Sequence, residues 1–490
     1  MDIKITPSKL SGKLKLPPSK SMAHRHIICA SLANGVSEIS NIAYSQDILA
    51  SIDAMKALGA KFDMGKDSIK VYGIGDKIDL LDGSRDAASE IRKGRVSEAG
   101  REKVKINCRE SGSTIRFLLP ILTMFNKNFQ IKAEGRLLKR PMDPYFEIFD
   151  REGISYSKDQ ESISIEGGKI FKSDKFYMDG RVSSQFISGM MFLLALLDHD
   201  SEIIIKNKLE SKSYVDLTID CLSKYNIKVE NINYKTFKVA GNQKYASRDS
   251  YVEGDYSQAA FFAVANALGN EVDLTGVFEE SLQGDRKILD IVRKFGANVR
   301  FLDESDEKKL SSKEKITDTK NFSSEGKAIN KKKLSVKDKH NDKKEYGKKL
   351  IVREENRKAY SFDGSDVPDI VPIVALLASL SSGKTIIKNI SRLRIKESDR
   401  IESVCSELEK LGADIRSGED YIEINGVKEL EGNVVVDSHK DHRIAMMLAI
   451  AASVCKEEII IKNADSVSKS FPDFWEKYKK LGGIYECDLG

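Results

Sequence analysis

At 490 residues, with 40% hydrophobic and 32% charged positions, the chain is too long for one compact core and has the composition of a soluble globular protein of two or three domains. No uninterrupted apolar run approaches the roughly 18 residues that a bilayer span requires, which argues against a membrane protein. The net charge of +5 is local rather than global: residues 303–349 hold 15 Lys against 10 Asp or Glu, an excess that leaves the rest of the chain neutral.

The opening stretch MDIKITPSKLSGKLKLPPSK alternates like a strand and has neither an apolar signal core nor an Arg- and Ser-rich transit composition, so a cytoplasmic location is expected. It runs into LPPSKSMAHRHIICASLA, a small-residue turn followed by an apolar helical pattern whose first turns carry Lys20, Ser21, His24, Arg25 and His26. Five more segments share that design: ESGSTIRFLLPILTM, RVSSQFISGMMFLLALL, EGDYSQAAFFAVANAL, DGSDVPDIVPIVALLASL and DSHKDHRIAMMLAIAAS. All six are apolar nearly all round with a polar start, the pattern of helices buried between other elements.

A second helical pattern in each unit ends in Gly or Asn and then an extended segment, at Gly59, Gly153, Asn226, Gly296, Gly412 and Gly482. Gly or Asn there suits a left-handed helix C-cap. Successive spacings are 94, 73, 70, 116 and 70 residues, and the two long ones each contain a charged insert, at about 84–104 and at 303–349. The second insert has almost no apolar residues with which to offset ordering entropy and is expected to be disordered. Between the two helices of each unit lies a strand and a polar loop ending in Asp (Asp47, Asp143, Asp216, Asp285, Asp399, Asp473), expected to cap the following helix. The repeat predicts an α/β fold of six βαβαββ units, three per domain, with sheets outside and apolar helices inside. Clustered N-termini of those helices would make an anion site.

The cations recur at the same topological end of the units: Lys20 and Arg25; Arg116, Lys139 and Arg140; Lys396 and Arg400; Arg443 and Lys469. Beside them stand Ser111, Gly112, Ser113 and Thr114, then Ser183, Ser184 and Gln185, and Ser211. Hydroxyls and amides suit phosphate oxygens, and guanidinium pairs suit carboxylates. Asp369 and Glu397 lie among these cations, where proximity to positive charge and burial pull a carboxyl pKa in opposite directions and fit it for proton transfer. No Walker A, GxGxxG, HExxH or zinc-spaced Cys/His set occurs, so neither nucleotide nor metal is expected. Six scattered cysteines without a CxxC read as buried free thiols.

In chain order, PSKSMAHR, ESGSTIR, KRP, VSSQF, SKSYVD, EGDYSQAA, DVPD, RIKESDR, DHR and SKSFPDF resemble the 5-enolpyruvylshikimate-3-phosphate synthase family over nearly the whole chain outside the inserts. The resemblance implies two inside-out α/β-barrel domains, one of residues 1–19 plus 255–490 and one of residues 20–254. It implies transfer of the carboxyvinyl group of phosphoenolpyruvate to the 5-hydroxyl of shikimate 3-phosphate by a cytoplasmic monomer, with no cofactor, metal, nucleic acid or membrane partner. Carried over by residue, Ser21, Arg25, Ser183, Ser184, Ser211, Asp369 and Lys396 would hold shikimate 3-phosphate. Gly112, Arg140, Arg400, Arg443 and Lys469 would hold phosphoenolpyruvate, with Lys20 and Gln185 touching both. Asp369 would be the base, Glu397 the acid, and Lys20 a further catalytic group, whereas His24 and His26 would be structural.

The chain departs from the pattern at Glu110, where Asn is common, and at Arg392, where an amide often stands. The nearest alternative is the UDP-N-acetylglucosamine enolpyruvyl transferase family, which places a reactive Cys in the loop that reads GRLLKRPMD here. A binder of nucleic acid through the Lys-rich segment is the alternative from another class.

Overall fold

The six Gly or Asn positions all take left-handed backbone, with φ of 107° at Gly59, 67° at Gly153, 66° at Asn226, 97° at Gly296, 91° at Gly412 and 96° at Gly482. They do so in a computed structural model that describes residues 1–76, 103–303 and 348–487. Five of them close a helix and release the chain into an antiparallel strand pair, whereas Gly482 leads into Ile484–Cys487, which pairs with Ile3–Thr6; all six resulting sheets are four-stranded.

The six sheets share one pattern. In one, Lys103–Asn107 runs parallel to Asn128–Lys132, which pairs antiparallel with Ser162–Glu166, which pairs antiparallel with Tyr156–Lys158. A parallel pair needs a crossover: in four sheets one buried helix supplies it, and in the other two, where Ser11–Lys15 pairs with Glu271–Thr275 and Val36–Ser40 with Ser250–Tyr251, a buried helix leads into one strand of the pair. Those helices are α1 (Lys20–Leu32), α3 (Gly112–Leu122), α5 (Ser184–Leu194), α7 (Tyr256–Ala267), α9 (Val371–Ser379) and α11 (His442–Ala452). Every residue of α7, α9 and α11 is buried, as expected for helices apolar nearly all round. The alternating helices are amphipathic: α2 (Gln46–Ala57), α4 (Asp143–Glu152), α6 (Lys212–Lys224), α8 (Ile288–Lys294), α10 (Arg400–Lys410) and α12 (Phe474–Lys480).

Two hydrophobic clusters result. One draws on Ile3 to Leu16 and on Tyr256 to Leu481, the other on Met22 to Val252. The chain passes between them twice at one place, where Pro18 bridges Gly254 and the Ser19 amide donates to the Glu253 carbonyl at 2.8 Å. The first fifteen residues are built into distant sheets: Ile3–Thr6 lies between Ile459–Lys462 and Ile484–Cys487, and Ser11–Lys15 runs parallel to Glu271–Thr275.

Three expectations need correction. The loop aspartates do not all cap: Asp399 accepts from the Glu402 amide at the start of α10, but Asp47 lies inside the first turn of α2, whose cap is Ser45. Asp143 begins α4, Asp216 lies within α6, Asp285 sits in the 3₁₀ turn Gly284–Lys287, and Asp473 makes no side-chain cap bond. The polar loops wind into helix before reaching the carboxylate, as at Ser211, whose left-handed φ of 54° turns the chain directly into α6. The insert edges also shift. The interiors of the inserts lie outside the described residues, but Lys103 and Val104 begin a strand and Lys349 begins the strand Lys349–Arg353, because Ile106, Leu350 and Val352 alternate into the cores. Finally, five cysteines are buried and free, but Cys487 is exposed. No helix of the described residues is long and apolar enough to cross a membrane.

Candidate active site

None of the six buried helices has an acid in its first turn, whereas α2, α4, α8, α10 and α12 do. Five of the six outer helices thus compensate their own positive ends, α6 being the exception; among the buried ones α7 and α11 are capped by the carboxylates of Asp255 and Asp441. At α3 and α5 the caps are the neutral hydroxyls of Ser111 and Ser183, which accept from the Thr114 and Gln185 amides and add no charge.

These ends open on one cleft. Lys20, Ser21, Arg25, Gly112, Arg140, Ser183, Ser184, Gln185, Ser211, Asp369, Lys396, Glu397, Arg400 and Arg443 all line it. Lys469 does not: its Nζ donates to Glu110 Oε2 at 2.6 Å and to the Lys440 carbonyl at 2.8 Å. Lys139 is exposed while its neighbour Arg140 is buried in the cleft wall, because the 3₁₀ turn Leu137–Lys139 faces them apart. The departure at Arg392 belongs to the cleft, donating from Nη2 to Ser211 Oγ at 2.8 Å and pairing through Nε with Glu210 at 2.5 Å.

Arg400, only 1% exposed, joins the two candidate acid–base groups. Its Nη1 donates to Asp369 Oδ1 and its Nη2 to Glu397 Oε2, both at 2.8 Å, while Nε is held by Asp441 Oδ2 at 2.8 Å. Arg140 Nη2 approaches Glu397 Oε1 at 3.2 Å, Lys396 Nζ approaches Asp369 Oδ1 at 3.7 Å, and Arg443 Nη2 approaches Asp369 Oδ2 at 3.7 Å. Burial opposes the charge on Asp369, but Lys396, Arg443 and Arg400 outweigh it and hold the carboxyl well below its usual range. Burial likewise opposes the charge on Glu397, and Arg140 and Arg400 reverse that. Both are therefore anions here, each neutralising cations that an anionic ligand would claim.

The opposite wall is more fully satisfied by protein. Arg25 donates from Nε to Thr218 Oγ1 at 2.8 Å and from Nη2 to the Tyr214 carbonyl at 2.9 Å, so its guanidinium is fixed in place. Burial lowers its pKa to about 10, which still leaves it charged at neutral pH. Arg116 holds Gln185 Oε1 at 2.7 Å, and Gln185 Nε2 reaches Ser113 Oγ at 2.9 Å, so the amide is oriented from both ends. Lys20 Nζ meets Asp47 Oδ2 at 2.6 Å. His24 and His26 point into the core, to Ser51 Oγ at 2.7 Å and toward the Tyr225 hydroxyl at 3.4 Å.

Four polar residues of the lining were not among the site residues expected from the sequence: Asp47, Tyr214, Asp255 and His442. Three sit in the motifs SKSYVD, EGDYSQAA and DHR that carry the resemblance. Burial and then the charges of Arg443 and Lys20 push the His442 pKa well down, so the imidazole is neutral.

The family model for EPSP synthase (3-phosphoshikimate 1-carboxyvinyltransferase) matches residues 5–478. The 3-phosphoshikimate 1-carboxyvinyltransferase of Clostridium beijerinckii is 44% identical over 485 residues, covering 99% of this chain and 98% of its own. That of Clostridioides difficile is 43% identical over 490 residues, covering 100% and 99%. Among solved structures, an EPSP synthase from Acinetobacter baumannii superposes with a TM-score of 0.72 at 21% identity over 99% of each chain. The enolpyruvyl transferase NikO from Streptomyces tendae superposes at 0.70 with 14% identity, covering 99% of this chain and 98% of its own. At those identities the two structures speak for the fold alone.

Proposed function

The chain belongs to the EPSP synthase family, and on that premise we propose which cleft residues hold each substrate and move each proton. The reaction transfers the carboxyvinyl group of phosphoenolpyruvate to the 5-hydroxyl of shikimate 3-phosphate and releases phosphate, a step of the shikimate pathway toward chorismate and the aromatic amino acids. The observation that carries the assignment is the meeting of Asp369 and Glu397 on the single guanidinium of Arg400, each at 2.8 Å.

Shikimate 3-phosphate lies against Lys20, Ser21, Arg25, Ser183, Ser184, Gln185, Ser211, Asp369 and Lys396, with Arg392 added because it donates to Ser211. Phosphoenolpyruvate lies against Lys20, Gly112, Arg140, Gln185, Arg400 and Arg443. Lys469 joins them only if Glu110 yields it, since the two form an ion pair at 2.6 Å.

Phosphoenolpyruvate brings its own anions to Arg140 and Arg400. The Coulomb attraction that depresses the Glu397 pKa is then shared with the ligand, the pKa climbs, and the carboxyl acquires the proton it must give. Asp369 takes the proton of the 5-hydroxyl as that oxygen attacks C2, and Glu397 protonates C3, giving a tetrahedral adduct. In the second half the new methyl group returns a proton to Glu397, the C2–O bond to phosphate breaks, and the leaving phosphate takes the proton from Asp369. Lys20, Arg140 and Arg443 stabilise the charge that gathers on that phosphate.

Each hydrophobic cluster is a domain of three units, 1–19 plus 255–490 and 20–254, in the inside-out arrangement of outer sheets and inner helices. Support comes from the alternation of buried and amphipathic helices and from the paired crossings at Ser19 and Gly254. The working unit is a monomer, because one chain provides both walls of the cleft, and its place is the cytoplasm. Phosphate release measured with shikimate 3-phosphate, beside UDP-N-acetylglucosamine as the alternative acceptor, tests the reading. Turnover with the sugar nucleotide and none with shikimate 3-phosphate would overturn it.

A further inference from the structure

Behind Asp369 lies a second carboxylate that the transfer reaction does not use. Asp285, 2% exposed, sits in the turn Gly284–Lys287. Its Oδ2 accepts from the Ser257 hydroxyl and lies 3.3 Å from the hydroxyl of Tyr214, on α6. That same hydroxyl lies 3.2 Å from Asp369 Oδ2. One phenol therefore stands between two carboxylates, one from each side, and a phenol has only one proton to donate.

We propose that Asp285 is a positioning residue for the base: held as the neutral acid, it leaves the single hydroxyl proton of Tyr214 to Asp369, and on ionising it competes for that proton. The proposal rests on the reading of Asp369 as the base.

Three observations support it. Asp285 Oδ1 is buried with no hydrogen-bond partner, which is costly for an ionised carboxylate and far less so for a neutral acid. Two carboxylates on one shared group repel, so one of the pair keeps its proton. Asp369 already has Arg400, Lys396 and Arg443 around it, so it is the one that stays charged. The groups facing Asp285 are Tyr214 from α6, Ser257 from α7, Asp255 at the cap of α7, Asp369 from the loop before α9 and Arg443 from α11. Asp255 is occupied in capping, accepting from the Ser257 and Gln258 amides. Burial, then the charge of Asp369, pushes the Asp285 pKa up to about 7. Burial and the two aspartates raise that of Tyr214 well above its ordinary value, so the phenol stays a donor throughout.

The test is the pH profile of kcat, at saturating shikimate 3-phosphate and phosphoenolpyruvate, for the wild type, Asp285→Asn, Tyr214→Phe and the double variant. In the wild type kcat falls about tenfold as Asp285 ionises on the alkaline side, the scale expected when a base loses its aim. Asn cannot ionise, so Asp285→Asn loses that alkaline limb and keeps KM for shikimate 3-phosphate. In the Tyr214→Phe background the Asn substitution changes nothing, because the link is already cut. An alkaline limb that persists unchanged in Asp285→Asn, or equal effects of that substitution with and without Tyr214, overturns the proposal.

Infrared spectroscopy of the wild type gives a reading that needs no variant to fold. A protonated buried carboxyl band should be present at about pH 6 and bleach by about pH 8.5, given the ordinary acid range of Asp near 3.9. Its absence at the lower pH overturns the proposal equally. Asp369→Asn separates the two claims: turnover in that variant removes the base reading itself, whatever the Asp285 profile shows.

Discussion

Arg140 and Glu397 meet across the cleft, Nη2 to Oε1 at 3.2 Å, so a cation of one hydrophobic cluster's half neutralises an acid carried by the other. Replacing Glu397 by Gln removes the competitor for Arg140 and Arg400 together with the proton donor. The expected result is a kcat lower by about 10²–10⁴-fold with an unchanged or lower KM for phosphoenolpyruvate. A rise in that KM would show that Glu397 helps to hold the substrate rather than compete with it.

Asp369→Ala should lose turnover by about 10²–10⁴-fold and remain folded. The substitution leaves Arg400 bound to Glu397 and Asp441, so the guanidinium is not left without a partner. Near-normal phosphate release, checked beside the thermal midpoint of the variant, would exclude Asp369 as the base.

Arg443→Ala should weaken phosphoenolpyruvate in a direct titration by about 10- to 150-fold, the range for one lost charge-assisted contact of roughly 1.5–3 kcal/mol. Binding of shikimate 3-phosphate should change much less. An unchanged phosphoenolpyruvate titration would sink the assignment.

The alternation of apolar segments and the six Gly or Asn caps were legible because both are local: a helix period needs one turn of sequence, and a left-handed C-cap needs one residue. The strand Ile3–Thr6 was legible as a strand but not as a partner of Ile459–Lys462, since nothing near residue 3 encodes a neighbour at the far end of the chain. The cleft was largely legible through its motifs. Lys139 was misjudged because adjacent cations read alike until a turn points them to opposite sides. The Tyr214 link to Asp285 and Asp369 was invisible, because it joins three units with no periodic signature.

Stability should respond to acid through Glu407, a buried carboxylate that accepts from Lys410 Nζ at 2.8 Å and the Asp437 amide at 2.9 Å, with His439 Nε2 2.8 Å away. Burial opposes its charge, but these partners lower its pKa from 4.5 to about 2. A depressed carboxyl stabilises the fold above its unfolded pKa, and that contribution, on the order of 3 kcal/mol, is lost as pH falls through the window between those two values. Glu407→Gln should lower the urea midpoint at neutral pH and narrow its gap from the wild type as the buffer is acidified. A gap constant with pH would argue against the ion cluster.

Gly189 packs α5 against α3 so closely that a Cβ would stand 2.1 Å from the Tyr145 hydroxyl and 2.3 Å from the Arg116 carbonyl. That hydroxyl lies 2.6 Å from the Arg116 carbonyl and 2.9 Å from the Phe186 carbonyl, and its single proton, shared between them, ties the two helices together. Gly189→Ala should cost about 3 kcal/mol by overpacking and should lower kcat as well, since Arg116 and Gln185 ride on these helices. A thermal midpoint equal to that of the wild type would refute the close approach.

The pairing of Ile3 with Cys487 sets an order of events during synthesis. The strand Ile3–Thr6 finds its partners only when residues 459–487 have left the ribosome. The cluster of residues Met22 to Val252 can therefore be finished while the rest is still being translated, and the other must wait with Ile3–Thr6 unpaired. The half of the molecule that carries Asp369 and Glu397 is thus completed onto a half already in place, so the acid–base pair is set opposite its cleft wall only after Ile459–Lys462 has been made.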